Sequence, residues 1–230
     1  MSEKRIAVIP AYEPDRRMID LVNEAWENGF QILIVDDGSG PEYSELFQEA
    51  RKHASIISYK KNRGKGHALK RAFSWLMANE MGDYSVITLD SDGQHTMKDA
   101  LRLMEKLSEE PDSMWLGSRV LPKDAPLRSR FGNDVNRFLF RAATHTKVYD
   151  VQTGMRAFSS RLLPGMDQIP GERYEYEMNV LLDLARRHIP IREIEIETIY
   201  IDGNASSHFR PVPDSVSIYK QIIRTFGSYK

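Results

Sequence analysis

A chain of 230 residues, 41% of them apolar and with a formal net charge of −1, is long enough for one ordinary α/β domain and too neutral to bind nucleic acid as a polyelectrolyte. It has no cysteine, which removes disulfides, thiolate zinc sites and a cysteine nucleophile. No apolar run approaches the roughly 18 residues of a membrane span, and Met1–Arg5 lacks a signal-peptide apolar region, so the cytoplasm is the expected location.

Strand-like and helix-like runs alternate along the chain. Arg5–Ile9 reads as the first strand. Met18, Leu21, Val22, Ala25 and Trp26 repeat at helical spacing and stop at Asn28-Gly29. Ile32–Val35 is a second strand, ending in Asp36-Asp37-Gly38-Ser39. A short helix from about Pro41 precedes a third strand near Ile56–Tyr59. Ala68, Leu69, Ala72, Phe73, Leu76 and Met77 form a clean helical stripe. Tyr84–Leu89 reads as a buried strand, followed by a helix carrying Met97, Leu101 and Met104 and by a strand at Met114–Gly117.

The second half is less regular. Phe131, Val135, Phe138, Leu139 and Ala142 fit a helix, and Val151 to Phe158 reads as a strand. Met178, Leu181, Leu182 and Ala185 fit a helix, and Ile191 to Ile199 alternates like a strand. Val216, Tyr219, Ile222, Ile223 and Phe226 share one face of a last helix. The β-α-β-α order predicts an α/β fold with a mostly parallel sheet flanked by helices.

Chemistry concentrates at the strand ends. The sequence Asp90-Ser91-Asp92-Gly93-Gln94-His95 leaves the fourth predicted strand, and ligands bind at the carboxyl edge of an open α/β sheet. Paired carboxylates with a side-chain amide suit a hard divalent cation that also holds phosphate oxygens. An EF-hand is excluded, because its glycine belongs at position six of the loop. Pro10-Ala11-Tyr12-Glu13 and Asp36-Asp37-Gly38-Ser39 leave two further strands, so three loaded loops converge on one edge.

Lys60–His67 is basic, contains Gly64 and Gly66, and opens a helix, which suits an anion; the Walker spacing GxxxxGK[ST] is absent. Between Arg119 and Lys147 seven cations face two carboxylates. Arg128, Arg130 and Arg137 among them favour a phosphate, since guanidinium gives bidentate contacts. Ser206–Arg210, with Pro211 and Pro213 after it, reads as an irregular, lid-like loop.

These residues in this order resemble the family 2 glycosyltransferases of GT-A (Rossmann-like) fold. Among them they are most similar to polyprenol-phosphate sugar transferases such as the dolichol-phosphate mannose or glucose synthases. The resemblance rests on Ile9–Glu13, Val35–Ser39, Asn62–Gly66, Asp90–His95 (with its DXD motif), Gly117–Arg119, Asp150–Phe158 and Tyr174–Met178. It implies a single domain, with residues 1–118 binding the nucleotide sugar and residues 119–230 the acceptor.

By the same resemblance Pro10, Tyr12, Glu13, Asp36, Asp37, Lys65 and Asp90 serve the nucleotide-sugar donor. Asp90, Asp92 and Gln94 hold Mg²⁺ or Mn²⁺. Arg119, Arg130 and Arg210 meet a lipid phosphate. Asp92, Arg119, Glu175 and Glu177 form the catalytic set, and the sugar is transferred with inversion. Many relatives carry membrane helices after the catalytic domain. This sequence stops at Lys230 without them, which leaves room for a separate membrane-protein partner and for peripheral attachment.

The acceptor decides the remaining chemistry. A phosphomonoester is largely anionic at neutral pH and attacks without a strong base, whereas a sugar hydroxyl needs a positioned carboxylate; Asp150, Glu175 and Glu177 are the candidates. The competing readings are a Mg²⁺-dependent nucleotidyl or phosphoryl transferase and a nucleotide-sugar-binding scaffold. Intact Asp90, Asp92 and Gln94 argue against the scaffold.

Overall fold

The computed structural model describes the backbone of residues 4–119 and 127–197, and the side chains of the same residues except 127–135. The expected last helix around Val216–Phe226, the Ser206–Arg210 loop and the Arg130 side chain lie outside the described residues.

Seven strands form one sheet in the order β3-β2-β1-β4-β6-β5-β7. They are β1 Lys4–Ala11, β2 Gln31–Asp36, β3 Ala54–Ser58, β4 Tyr84–Thr88, β5 Met114–Arg119, β6 Arg156–Ser159 and β7 Ile191–Ile196. All neighbours pair in parallel except β6, which runs antiparallel between β4 and β5.

Burial explains why the strands read as continuous apolar runs. In β1 the side chains of Ile6 and Val8 pack on one side of the sheet, and those of Ala7 and Ile9 on the other. A strand covered on both faces has no polar face to alternate with. Helices α3 Lys65–Asn79, α5 Leu127–Thr144 and α6 Glu175–Arg186 cover the first side, through Leu69, Phe73, Phe140 and Leu181. Helices α1 Arg16–Glu27, α2 Ser44–Ala50 and α4 Met97–Glu109 cover the second, through Met18, Val22, Phe47 and Leu103.

Local caps set where the helices begin. Asp15 accepts the Arg17 amide at the start of α1. At the start of α4, Thr96 Oγ1 accepts the Asp99 amide and donates to the Asp99 carboxylate, a reciprocal closure of the first turn. Gly64 precedes α3 with φ 107, and a Cβ there would lie 2.4 Å from the carbonyl oxygen of Glu172. Only glycine fits that position.

The expected strand Val151 to Phe158 shortens to Arg156–Ser159, because residues 151–155 form a turn. The Gln152 amide donates to Asp150 Oδ1 and the Met155 amide to Thr153 Oγ1. These side-chain bonds claim the backbone before the sheet can.

Candidate active site

The register brings the loaded loops together. Ala11 lies opposite Asp36, Asp36 opposite Ser58, and Val8 opposite Thr88, so the ends of β1 to β4 share one edge. β5 runs in the same direction as β4 and delivers Arg119 to that edge. β6 starts there, with Arg156 opposite Thr88, which lays the Asp150–Met155 turn against the end of β4.

The β1 and β2 loops are stitched to each other. Asp36 Oδ1 accepts the Ser39 amide, and Ser39 Oγ accepts the Glu13 amide, both at 2.9 Å. Glu13 itself takes φ 49, an unusual conformation for a side-chain-bearing residue. Pro10 is buried and Tyr12 half-buried beside it. The Glu13 carboxylate, with burial, raises the Tyr12 hydroxyl above its usual range. Asp36 also lines a cleft of about 470 Å³ with Ser44, Phe47, Arg51 and Ser58.

Asp37 is buried, and its two carboxylate oxygens accept the amides of Arg63 at 2.8 Å and Gly64 at 2.7 Å. It therefore holds the basic turn that launches α3. The first residue of that helix, Lys65, extends its ammonium to Asp90 Oδ1 at 2.7 Å and to Glu177 Oε1 at 3.0 Å. Burial would lower the Lys65 ammonium, but Asp90 and Glu177 override it and raise its pKa. Lys65 thus joins the β3–α3 turn, the end of β4 and the start of α6.

Asp90 is the hub of the edge. Burial alone would raise its carboxyl, yet Lys65, with help from Arg119, holds it well below the usual carboxylate range. Its amide donates to His95 Nδ1 at 3.1 Å. That bond requires an unprotonated Nδ1, and burial pushes the His95 imidazole down to about 4, so the ring is neutral with its proton on Nε2. On the other side Gly154 lies so close that a Cβ would fall 2.3 Å from Asp90 Oδ2. Asp92 differs: burial and the neighbouring Asp90 charge raise its carboxyl, while its Oδ1 accepts the Gln94 amide at 3.0 Å.

Arg119 closes the edge from β5. Its Nε donates to Asp150 Oδ2 at 2.8 Å. Asp150 is buried, and Glu193 on β7 accepts the Tyr149 and Asp150 amides at 2.9–3.0 Å. Arg156, fully inside, donates to the carbonyls of Thr153, Glu177 and Val151 and so pins the turn to α6.

The structure thus brings together Asp37, Lys65, Asp90, Asp92, Arg119, Asp150 and Glu177. Glu175 stands apart from the others: its Oε1 accepts the Glu172 and Arg173 amides in front of its own helix. Arg210 lies outside the described residues. His95, Gly154, Arg156 and Glu193 were assigned no role from sequence. The first three lie inside the motifs Asp90–His95 and Asp150–Phe158, and Arg156 is also a lone cation inside the apolar stretch Met155–Phe158.

Among the described residues no cluster of three or more His, Asp or Glu side chains forms a ready metal cage. The donor set nevertheless fits a divalent cation. Asp90 and Asp92 offer hard oxygens, and the raised Asp92 carboxyl marks negative charge that the protein leaves under-compensated. Mg²⁺ is commonly held by one or two carboxylates together with substrate phosphates.

Comparison with known proteins agrees with this geometry. The family model described as Glycosyl transferase family 2 matches residues 7–164. A UDP-N-acetylglucosamine–dolichyl-phosphate N-acetylglucosaminyltransferase of Methanococcus voltae is 28% identical, with 88% of each chain covered. A dolichyl-phosphate beta-glucosyltransferase of Dictyostelium discoideum is 24% identical over 94% of this chain and 72% of its own. The fold is shared with glucosyl-3-phosphoglycerate synthase of Mycobacterium tuberculosis, crystallised with Mn²⁺, UDP and phosphoglyceric acid. That match has a TM-score of 0.70 and 19% identity, over 99% of this chain and 78% of the other. With the family model spanning both the β1–β4 edge and the β6 turn behind it, the chain belongs to glycosyl transferase family 2 and is a glycosyltransferase.

Proposed function

We propose that this enzyme is a metal-dependent, inverting glycosyltransferase that moves a sugar from a nucleoside-diphosphate sugar to a polyprenyl phosphate. The observation that carries the acceptor choice is the state of the three carboxylates that a hydroxyl acceptor would need as base. Asp150 is paired with Arg119, Glu177 with Lys65, and Glu175 is bound to backbone amides. These carboxylates are engaged in structural contacts, whereas a general base must stand within hydrogen-bond reach of the hydroxyl it deprotonates. A phosphate acceptor needs none, because it arrives largely ionised. The names of the relatives support the same choice.

In this reading Pro10, Tyr12, Glu13, Asp36 and Asp37 frame the nucleotide. Asp90 and Asp92, with Gln94, would hold Mg²⁺ or Mn²⁺, which supplies Lewis-acid stabilisation of the departing diphosphate. Lys65 keeps Asp90 ionised and in place. Arg119, with Arg130 and Arg210, orients the acceptor phosphate. An acceptor phosphate oxygen attacks the anomeric carbon, the bond from that carbon to the β-phosphate oxygen breaks, and the nucleoside diphosphate leaves with configuration inverted.

The test is a panel of UDP- and GDP-sugars assayed with a short polyprenyl phosphate, with Mg²⁺, with Mn²⁺ and with chelator. Transfer from one donor, abolished by chelator, is expected. Transfer to saccharide hydroxyls but not to the lipid phosphate would overturn the acceptor assignment.

A further inference from the structure

Beside the catalytic edge, one surface combines features that the reaction itself does not use. Phe138 on α5 is 70% exposed, and Tyr149 is 49% exposed. With Arg137, Arg141, Lys147 and Val148 they line a shallow groove of about 320 Å³. The guanidinium of Arg137 lies 5.8 Å from the Tyr149 ring centroid, and the ammonium of Lys147 lies 5.0 Å from it. Arg141 and Lys147 are exposed. Among the described residues, Glu193 faces this region from β7, and it is turned onto the Tyr149 and Asp150 amides.

We infer that this groove is the surface by which the enzyme docks on an anionic phospholipid bilayer. Amphipathic aromatics beside long cations suit the headgroup layer, where rings sit at the interface and cations meet phosphates. Among the described residues, the other large exposed apolar side chains are Trp26, Met77 and Met81, and none of them lines this groove. The three cations described in the groove, Arg137, Arg141 and Lys147, make a short track, whereas a nucleic acid needs a longer phosphate footprint. The position adds a reason. Tyr149 precedes Asp150, the partner of Arg119, and Glu193 fixes both of their amides. The docking surface is therefore joined through one peptide to the group assigned to the acceptor phosphate. A lipid phosphate held by the bilayer would meet Arg119 from this side. That last step rests on the lipid-phosphate reading; the docking itself does not.

The test is co-sedimentation with phosphatidylcholine vesicles, with and without phosphatidylglycerol, in the absence of sugar donor and polyprenyl phosphate. Wild-type protein is expected to partition onto the phosphatidylglycerol vesicles and to be released by salt. Each cation near an anionic bilayer multiplies the partition about fivefold, so Arg141→Gln with Lys147→Gln is expected to lower it about 25-fold. Phe138→Ser should weaken it further, with metal-dependent donor hydrolysis and the melting temperature unchanged. Equal binding to both vesicle types, or variants that bind as wild type, would overturn the inference. So would an oligomer that the variants split while vesicle binding persists, since the groove would then be a contact between copies. If the double variant does not fold, Phe138→Ser and the salt titration of wild type still decide. Vesicle binding without transfer to polyprenyl phosphate would sink the acceptor assignment and leave the docking surface standing.

Discussion

Asp37→Ala is the sharpest test of how the donor side is built. The carboxylate accepts two amides, at 2.8 and 2.7 Å, from the turn that presents Lys65, and it is only 3% exposed. Hydrogen bonds to a charged group are worth about 1.5–3 kcal/mol each, and two on one carboxylate are not additive. A loss of about 3–4 kcal/mol follows. In a chain of this size 1 kcal/mol moves Tm by about 2–4 °C, so Tm should fall by about 10 °C. Asp37→Asn keeps one acceptor oxygen but aims its amide group at a backbone N–H, so it should recover at most half. Because Lys65 follows Gly64, UDP affinity measured by calorimetry should drop about tenfold in Asp37→Ala, by analogy with other displaced site groups. A Tm change under about 2 °C together with unchanged UDP affinity would show that Asp37 does not hold this turn.

Asp92→Asn should cut transfer about 10²–10³-fold with Tm unchanged; retention of half the wild-type rate would remove Asp92 from the site. Gly154→Ala places a methyl 2.3 Å from Asp90 Oδ2, and the displacement should cost at least about 10²-fold in kcat/KM, whereas near-normal kinetics would show that Asp90 has room to move. Arg119→Ala and Arg130→Ala should raise KM for polyprenyl phosphate and spare metal-dependent donor hydrolysis; equal loss of both would assign these arginines to the donor diphosphate. For pH, burial would raise the Asp99 carboxyl, but the Glu197 amide, Thr96 and Arg102 hold it below the usual aspartate range. The folded pKa lies below the unfolded one, so its contribution is full above about pH 4 and is lost as pH falls through the folded value. Asp99→Asn should flatten the acid side of the stability curve, and an unchanged slope in urea melts would contradict this.

The legible part of the molecule is the part coded by short-range pattern. Arg5–Ile9, Ile32–Val35 and Tyr84–Leu89 read as strands because most of their residues are buried on both faces, and the acidic residues that follow them do sit on one edge. The stripe from Ala68 to Leu76 read as a helix for the complementary reason. What stayed hidden depends on contacts remote in sequence. Nothing local tells that Lys65 pairs with both Asp90 and Glu177, or that Glu193 steadies Asp150. Val151–Phe158 reads as one strand, but Asp150 and Thr153 bind backbone amides two residues on and bend its first half into a turn. The antiparallel placement of β6 was equally invisible, since alternating elements suggest parallel neighbours throughout.

The insertion of β6 between β4 and β5 also constrains how the chain matures on the ribosome. A nascent chain that has reached Arg119 has made β5, but both strand neighbours of β5, β6 and β7, come later. Until Arg156–Ser159 emerges, β4 presents an open edge with unpaired amides, a template for wrong pairing. The stretches before and after β5, proposed above to serve donor and acceptor, are therefore folded by one cooperative event. A fragment ending between residues 120 and 155 should aggregate rather than bind nucleotide, and a split of the gene there should give complementing halves only when both are made together.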